Sequence, residues 1–447
     1  MPDLDRLADK KLAGVVADGG RLRAQLLELW QRTRMDWGFV TDRLAQTFRK
    51  ETWIGAHERR FISETLYGLV RHLRRVDLAL ERARRVKKPP RDLERLLALL
   101  VLEGLLDTAR AAKVEPELDW NAVAGVDAAI AGERRVDKRI ALAASLPDWL
   151  AQRLVADWGD EAEALALALN ERAPMTVRAN TLVTTRDALA AELAKEKLAT
   201  EPGKWSDTAL IVSSRTNLFA SAAFKRGAME AQDEGSQLLA ELATPGPKSS
   251  EPDLRRRAGS LVIDYCAGAG GKTLAIAARL ANKGRVIATD VDAGKLEELR
   301  RRARRAQVSI VQAMTIDDRQ IDAYTGKADV VFVDAPCSGI GALRRNPEAR
   351  WRLREADIAG FAAKQREIMA AAIRLAAPGA RVIYATCSLL SEENERVAES
   401  LAGVTPLDLA SVLGSERAQA LGRSGALTVT PHTHGTDGFF ARVFTRA

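Results

Sequence analysis

Apolar positions along this chain change their period twice. In the first part they recur at helical spacing: Leu22, Leu26, Leu27 and Trp30 form one such stripe, and Phe61, Thr65, Leu69 and Leu73 another. Residues 86–90 (VKKPP) break one helix before the next begins at Arg91. Residues 1–145 are therefore predicted to be all helical. A boundary is expected at Ser145 (SLPDWL). Beyond it, residues 174–181 read as a strand entering a loop, 187–195 as a helix and 209–213 as a second short strand. This makes 146–245 a small α+β segment. Residues 244–252 (TPGPKSSEP) carry the composition of an exposed loop.

From Leu261 the pattern alternates between short apolar runs and helical stretches. The runs fall at 261–265, 286–289, 308–311, 330–333 and 381–385. Such alternation predicts a doubly wound, mostly parallel α/β sheet of Rossmann-like type over 246–447. Residues 438–445 (GFFARVFT) are expected to add an edge strand.

Composition refines this picture. The 447 residues favour two or three domains, and 47% hydrophobic with 29% charged residues suits large buried cores. A formal net charge of +8 suggests a polyanionic partner, RNA or DNA above all. Arginines crowd the N-terminal helices (Arg71, Arg74, Arg75, Arg82, Arg84, Arg85) and the run 300–305 (RRRARR), so both are candidate RNA contacts. Three cysteines are too few for a disulfide framework, which points to reduced thiols and a cytoplasmic location. The charged start shows no signal peptide. No apolar run approaches the roughly 20 residues of a membrane span.

The chemistry is expected at the carboxyl ends of the parallel strands, the face where such sheets bind ligands. The first strand runs into Asp264-Tyr265-Cys266-Ala267-Gly268-Ala269-Gly270-Gly271-Lys272-Thr273. The glycines let backbone approach a ligand beside a helix N-terminus. A phosphate-binding P-loop would need glycine at Cys266, and the dinucleotide fingerprint would need it at Thr273. An adenosine-type cofactor without a pyrophosphate remains. Asp290 supports it, ending the second strand where a carboxylate can accept ribose hydroxyls. The fourth strand ends in Asp334-Ala335-Pro336-Cys337-Ser338 and the fifth in Thr386-Cys387-Ser388, so all three cysteines fall at strand ends. Cys266, inside the loop, reads as structural. A thiolate beside a methyl donor suits carbon 5 of a pyrimidine: addition to carbon 6 makes carbon 5 enamine-like. Asp334 is a candidate to protonate ring nitrogen 3 as the thiolate adds.

At these residues the chain resembles the Sun/Fmu family of RNA 5-methylcytosine methyltransferases, close to the bacterial RsmB type. The family loop is Asp-x-Cys-Ala-Ala-Pro-Gly-Gly-Lys, and here Gly268-Ala269 replaces Ala-Pro. The resemblance implies S-adenosylmethionine as cofactor, held by Cys266, Ala267, Gly268, Ala269, Gly270, Gly271 and Lys272. Asp290 would hold the ribose, and Asp334 would lie near both the methionine moiety and the base. Cys387 would be the nucleophile, and Cys337 would assist release of the methylated RNA. Relatives carry an aspartate after the third strand that approaches the adenine; Asp317 is the nearest candidate and Asp318 competes.

The likeness extends to Arg178-Ala179-Asn180-Thr181, to 232–237 (QDEGSQ), to 344–347 (RRNP) and to 435–440 (GTDGFF). Residues 61–77 resemble a NusB-like RNA-binding domain. The implied substrate is RNA, with ribosomal RNA ahead of transfer RNA, acted on by a monomer without a metal or a membrane. In a DNA-type cytosine methyltransferase Cys337 would attack instead. An adenine amino-methyltransferase would carry Pro-Pro-aromatic where this chain has Ala335-Pro336-Cys337. A scaffold that only binds RNA would not need Cys387, Cys337, Asp334 and Asp290 together. His432 and His434 lack the further ligands of a metal site.

Overall fold

In the computed structural model, residues 2–86, 88–213, 217–244, 259–316 and 319–447 are described. The chain forms two compact units. One comprises the residues up to Glu171 together with Leu343–Glu355; the other comprises Arg172–Ala342 and Ala356–Ala447. The boundary expected at Ser145 falls inside the first unit.

The first unit is helical throughout. Both predicted stripes lie on helices, Gly20–Asp36 and Ala56–Arg71, although Leu73 opens the next helix, Leu73–Arg82. Their apolar faces meet in one core containing Leu26, Trp30, Phe61, Ile62, Leu66 and Leu97. Trp30 is fully buried, and its indole N–H donates to Asp92 Oδ1 at 3.1 Å, which satisfies the ring's polar atom.

The segment Leu343–Glu355 belongs to this unit although residues 172–342 separate it from the rest. Arg350 is fully buried there. Its guanidinium donates to Ala144 O at 2.9 Å, to Asn170 Oδ1 at 2.5 Å and to Leu169 O at 3.5 Å. These acceptors lie just past the helices Val136–Ala143 and Ala162–Ala168, where helix carbonyls lack partners and the dipole is negative. Burial still pulls the Arg350 pKa down to about 9. Trp351 donates to Val70 O at 2.9 Å.

The second unit holds two sheets. In the smaller, β1 (Met175–Ala179), β2 (Thr200–Pro202), β3 (Ala209–Val212) and β4 (Met229–Ala231) run antiparallel in the order β2-β3-β1-β4. Of these, β2 and β4 were not foreseen. The larger sheet contains β5 (Leu261–Asp264), β6 (Arg285–Asp290), β7 (Val311–Thr315), β8 (Ala328–Asp334) and β9 (Ala376–Thr386), all parallel. It continues antiparallel through β10 (Val404–Pro406), β11 (Gly422–Arg423), β12 (Ala426–Val429) and β13 (Phe439–Arg446). The order is β11-β12-β13-β9-β8-β5-β6-β7, with β10 also pairing with β13. Strands β5 and β8 are apolar almost end to end, as expected of strands covered on both faces.

Two strand expectations need correction. The expected edge strand 438–445 is β13, which has partners on both sides, because 426–429 returns as a further strand beside it. The third parallel strand starts at Val311, not at 308. The helix Ala293–Arg305 ends with Gln307 at φ 57°, and Val308 N–H closes back on Ala303 O. Val308 is thus the apolar residue of a helix C-cap.

Candidate active site

The parallel strands deliver their motif residues to one crevice. The loop after β5 turns through Gly268 and Gly270, both at positive φ, into the helix Gly271–Arg279. Gly270 is required twice over. Its φ is 85°, and a Cβ there would lie 2.6 Å from Leu299 Cγ. Gly268 and Gly271 instead face open space, which leaves the loop backbone accessible. Asp290, at the end of β6, fixes the loop from the side: Oδ2 accepts from Gly268 N at 2.8 Å and Oδ1 from Asp292 N at 2.9 Å.

Behind the loop, Asp264 is buried at the end of β5. Oδ2 accepts from Thr273 Oγ1 at 2.6 Å, whereas Oδ1 is buried without a hydrogen-bond partner among the described residues. Burial pushes its pKa up to about 7, against the opposing Thr273 hydrogen bond. Lys272 crosses to β8 and donates to Asp334 Oδ2 at 2.5 Å. Burial disfavours its ammonium, but the charge and hydrogen bond of Asp334 outweigh that and raise the lysine's pKa. Lys272 Nζ also lies 5.6 Å from the centre of the Phe439 ring, within the 435–440 segment.

The three cysteines separate into one and two. Cys266 is partly buried, and burial together with Asp264, Asp334 and Asp290 raises its pKa, so it stays a thiol. Cys337 and Cys387 meet: their sulfurs are 3.2 Å apart, at the ends of the adjacent strands β8 and β9. The Cys337 pKa is raised, first by its hydrogen bond with Cys387 and then by burial. The turn after Cys337 is locked to the Cys387 loop, with Gly341 N donating to Cys387 O at 2.9 Å and Gly438 N to Gly341 O at 2.8 Å. A Cβ on Gly341 would lie 2.2 Å from Gly438 O, so the approach excludes any side chain.

Residues 253–445 match the family described as 16S rRNA methyltransferase RsmB/F, and 146–218 match its ferredoxin-like domain. A Bacillus subtilis protein named probable ribosomal RNA small subunit methyltransferase B is 31% identical, over 68% of this chain and 67% of its own length. The chain belongs to the RsmB/F methyltransferase family. The Synechocystis sp. protein of the same name is 29% identical over 86% of this chain and 90% of its own. A methyltransferase homolog protein from Pyrococcus horikoshii matches with a TM-score of 0.57 at 25% identity, covering 69% of this chain and 98% of that structure.

As a member of the RsmB/F family the protein is an RNA methyltransferase that uses S-adenosylmethionine. The crevice fits that cofactor. The unpartnered Oδ1 of Asp264 suits its ammonium group, the open backbone at Gly268 and Gly271 leaves room for it, and Asp290 stands at the strand end suited to its ribose. Asp317 and Asp318, the candidates for the adenine, lie outside the described residues.

The other RsmB/F motifs turn out to be braces. Arg178 is buried, with its pKa pulled down to about 10, and donates to Gln232 Oε1 at 2.7 Å. Asn180 donates to Gly227 O and Ala306 O, each at 2.8 Å. Asp233 accepts from Asp437 N at 3.2 Å. His434 spends its ring on backbone, with Nδ1 accepting from Thr430 N at 3.0 Å and Nε2 lying 3.1 Å from Ala420 O. Sequence reasoning gave no role to Asp264 or Thr273, and it missed Glu393, Gln365 and the two serines that follow the cysteines. Asp264 was detectable as the acid that opens the glycine loop. Glu393 was not, since Glu392, Glu393 and Glu395 are equivalent in the sequence.

Proposed function

We propose that this enzyme methylates carbon 5 of a cytosine in RNA through a covalent bond between Cys387 Sγ and carbon 6 of the base. The supporting observation is the pair of thiols 3.2 Å apart at adjacent strand ends, beside Lys272 and Asp334. S-adenosylmethionine supplies an electrophilic methyl group when bound. The Cys387 thiolate adds to carbon 6, and the displaced electron pair makes carbon 5 nucleophilic enough to take that methyl. The carbon 5 proton then leaves, the carbon 5–carbon 6 double bond re-forms and the Cys387 thiolate is expelled. Cys337, held as a thiol against Cys387, assists that release. Asp334 serves ring nitrogen 3 of the base.

The relatives in Synechocystis and Bacillus are named for small-subunit ribosomal RNA, and we carry that substrate to this chain. On this reading residues 1–145 and 146–245 engage the RNA, 246–447 carry out the chemistry, and a monomer suffices. Free thiols suit the reducing cytoplasm, where this work would occur.

The two cysteines should fail differently. Cys387→Ala should end methylation and form no adduct. Cys337→Ala should stall on its product and leave an RNA-linked band on denaturing electrophoresis. Full activity in Cys387→Ala would overturn the mechanism, and the reverse pattern of bands would assign attack to Cys337. Bisulfite sequencing of total RNA from a deletion strain should show one 5-methylcytosine lost from small-subunit ribosomal RNA. Loss from transfer RNA instead would change the substrate.

A further inference from the structure

Bonded to the loops that carry the two thiols is one carboxylate that the mechanism does not use. Glu393 is fully buried, six residues after Cys387. Its carboxylate accepts four hydrogen bonds. Oε1 takes Ser338 N at 2.8 Å and Gln365 Nε2 at 3.1 Å. Oε2 takes Ser338 Oγ at 2.5 Å and Ser388 Oγ at 2.6 Å. An ionised carboxylate offers about four acceptor sites, so this one is saturated. No cation pairs with it among the described residues, so donors alone stabilise its charge.

The identity of the donors carries the argument. Ser338 directly follows Cys337, and Ser388 directly follows Cys387. Three of the four bonds therefore run to the residues adjoining the two thiols, and they come from both loops. The fourth, from Gln365, extends the brace, because the same Nε2 also donates to Pro336 O at 3.1 Å, immediately before Cys337. Neighbouring bonds hold the acid itself. Thr386 Oγ1 donates to Asn394 Oδ1 at 2.5 Å, Asn394 Nδ2 donates to Ser388 O at 3.1 Å, and the Tyr384 hydroxyl donates to Glu393 O.

We propose that Glu393 is a positioning residue for methyl transfer: its carboxylate ties Ser338 to Ser388, sets the spacing of the two thiols and keeps Cys337 a thiol while Cys387 attacks. This rests on the covalent mechanism proposed above. Two effects act together. Geometrically, one acceptor shared by both loops fixes their separation. Electrostatically, a negative charge behind the Cys337 loop opposes a second negative charge on Cys337; it is among the causes that raise that thiol's pKa, after the Cys387 hydrogen bond and burial.

The test uses full-length Glu393→Gln and Glu393→Ala, with Ser338→Ala and Ser388→Ala as milder variants in case the first two fail to fold. Turnover is measured on the RNA substrate. A second assay compares alkylation of the two cysteines by iodoacetamide, read by peptide mass spectrometry, and S-adenosylmethionine affinity is measured by calorimetry. Glu393→Ala should lower kcat about 100-fold, as expected when reacting groups are displaced by about 1 Å, with the KM for RNA and the cofactor affinity essentially unchanged. Glu393→Gln keeps the shape but not the charge, and should restore about tenfold of that loss. In wild type Cys387 should alkylate ahead of Cys337, and Glu393→Ala should erase the preference. A folded Glu393→Ala with wild-type kcat and wild-type alkylation preference would overturn the proposal. If the larger variants do not fold, unchanged kcat in both serine variants would overturn it as well. Cys387→Ala is run alongside: if it stays active, the underlying mechanism has failed, whereas an inactive Cys387→Ala beside a fully active Glu393→Gln rejects the role of Glu393 alone.

Discussion

The crevice at the strand ends and the arginine-rich helices look equally functional in the sequence, and they fold to opposite outcomes. In the crevice, residues up to 123 positions apart (Asp264 to Cys387) converge around open backbone and an unpartnered carboxylate oxygen. In the run 300–305 most of the charge is used inside the protein. Arg302 and Arg305 both bind the buried Glu230, and Arg302 also donates to Ala269 O at 2.7 Å within the glycine loop. Arg300 holds Glu297 and Ala313 O, and Arg301 holds Glu298. The N-terminal arginines behave alike: Arg74 binds Asp148, Arg75 binds Asp127, Arg84 binds Glu94, and Arg71 donates to Arg344 O. Among the described residues, only Arg82, Arg85 and Arg304 of these two groups are exposed and without a side-chain bond. Net charge counts residues, whereas binding depends on those left unpaired.

Four measurements would break or sharpen this contrast. The largest effect is expected at the Lys272–Asp334 pair. Lys272→Met removes the cation paired with Asp334 in the crevice, and methylation should fall about 100- to 1,000-fold in single-turnover assays. A loss below tenfold would make the pair a mere brace, like those of the arginine run.

Next comes Asp264. Its pKa is about 7 in the fold against about 4 when exposed, so the folded state holds the proton more tightly. Its contribution is complete below pH 4, declines as pH rises and is lost above 7. Between pH 5 and 7 the wild type should lose about 2–3 kcal/mol more than Asp264→Asn, as read from denaturant melts. Parallel pH profiles for the two proteins would show that the acid is not buried as described.

A smaller change is expected at Asp290, where replacement by alanine should weaken S-adenosylmethionine binding by about 1.5 kcal/mol. Calorimetry showing equal affinity would remove it from the cofactor site. The smallest effect belongs to the arginines. Arg82→Ala, Arg85→Ala or Arg304→Ala should each reduce the salt dependence of RNA binding by about one unit of log–log slope or less. Arg302→Ala should leave that slope alone and lower thermal stability instead. The opposite assignment would return the paired arginines to the RNA interface.

Much of the crevice was legible because the residues that build it are adjacent in sequence to strand ends, which apolar runs reveal. Asp290 and Asp334 end their strands, Cys387 directly follows one, and Cys337 lies three residues beyond another. The beginning of β7 was misread because Val308 is apolar for a helix cap, and apolarity alone does not distinguish the two uses. The strands 404–406 and 426–429, which pair with β13, are too short to show a period, and this made β13 look like an edge. Glu393 was out of reach for a different reason: its role is defined by four donors, which no local pattern records.

The excursion of Leu343–Glu355 has a consequence for how the molecule is made. A ribosome releases the helical N-terminal residues first, yet those helices are not finished when they emerge. The carbonyls of Ala144, Leu169 and Val70 wait for donors on Arg350 and Trp351. Until synthesis passes residue 355, the early helices carry an open slot where a guanidinium and an indole belong. The first unit to be synthesised is therefore the one that cannot close until four of the nine strands of the catalytic sheet have been made. A nascent chain stopped short of residue 343 should display a looser, protease-sensitive N-terminal body. Excising residues 1–140 would remove Val70 and leave the Trp351 indole without its acceptor, so cutting the chain at its apparent domain border damages both pieces.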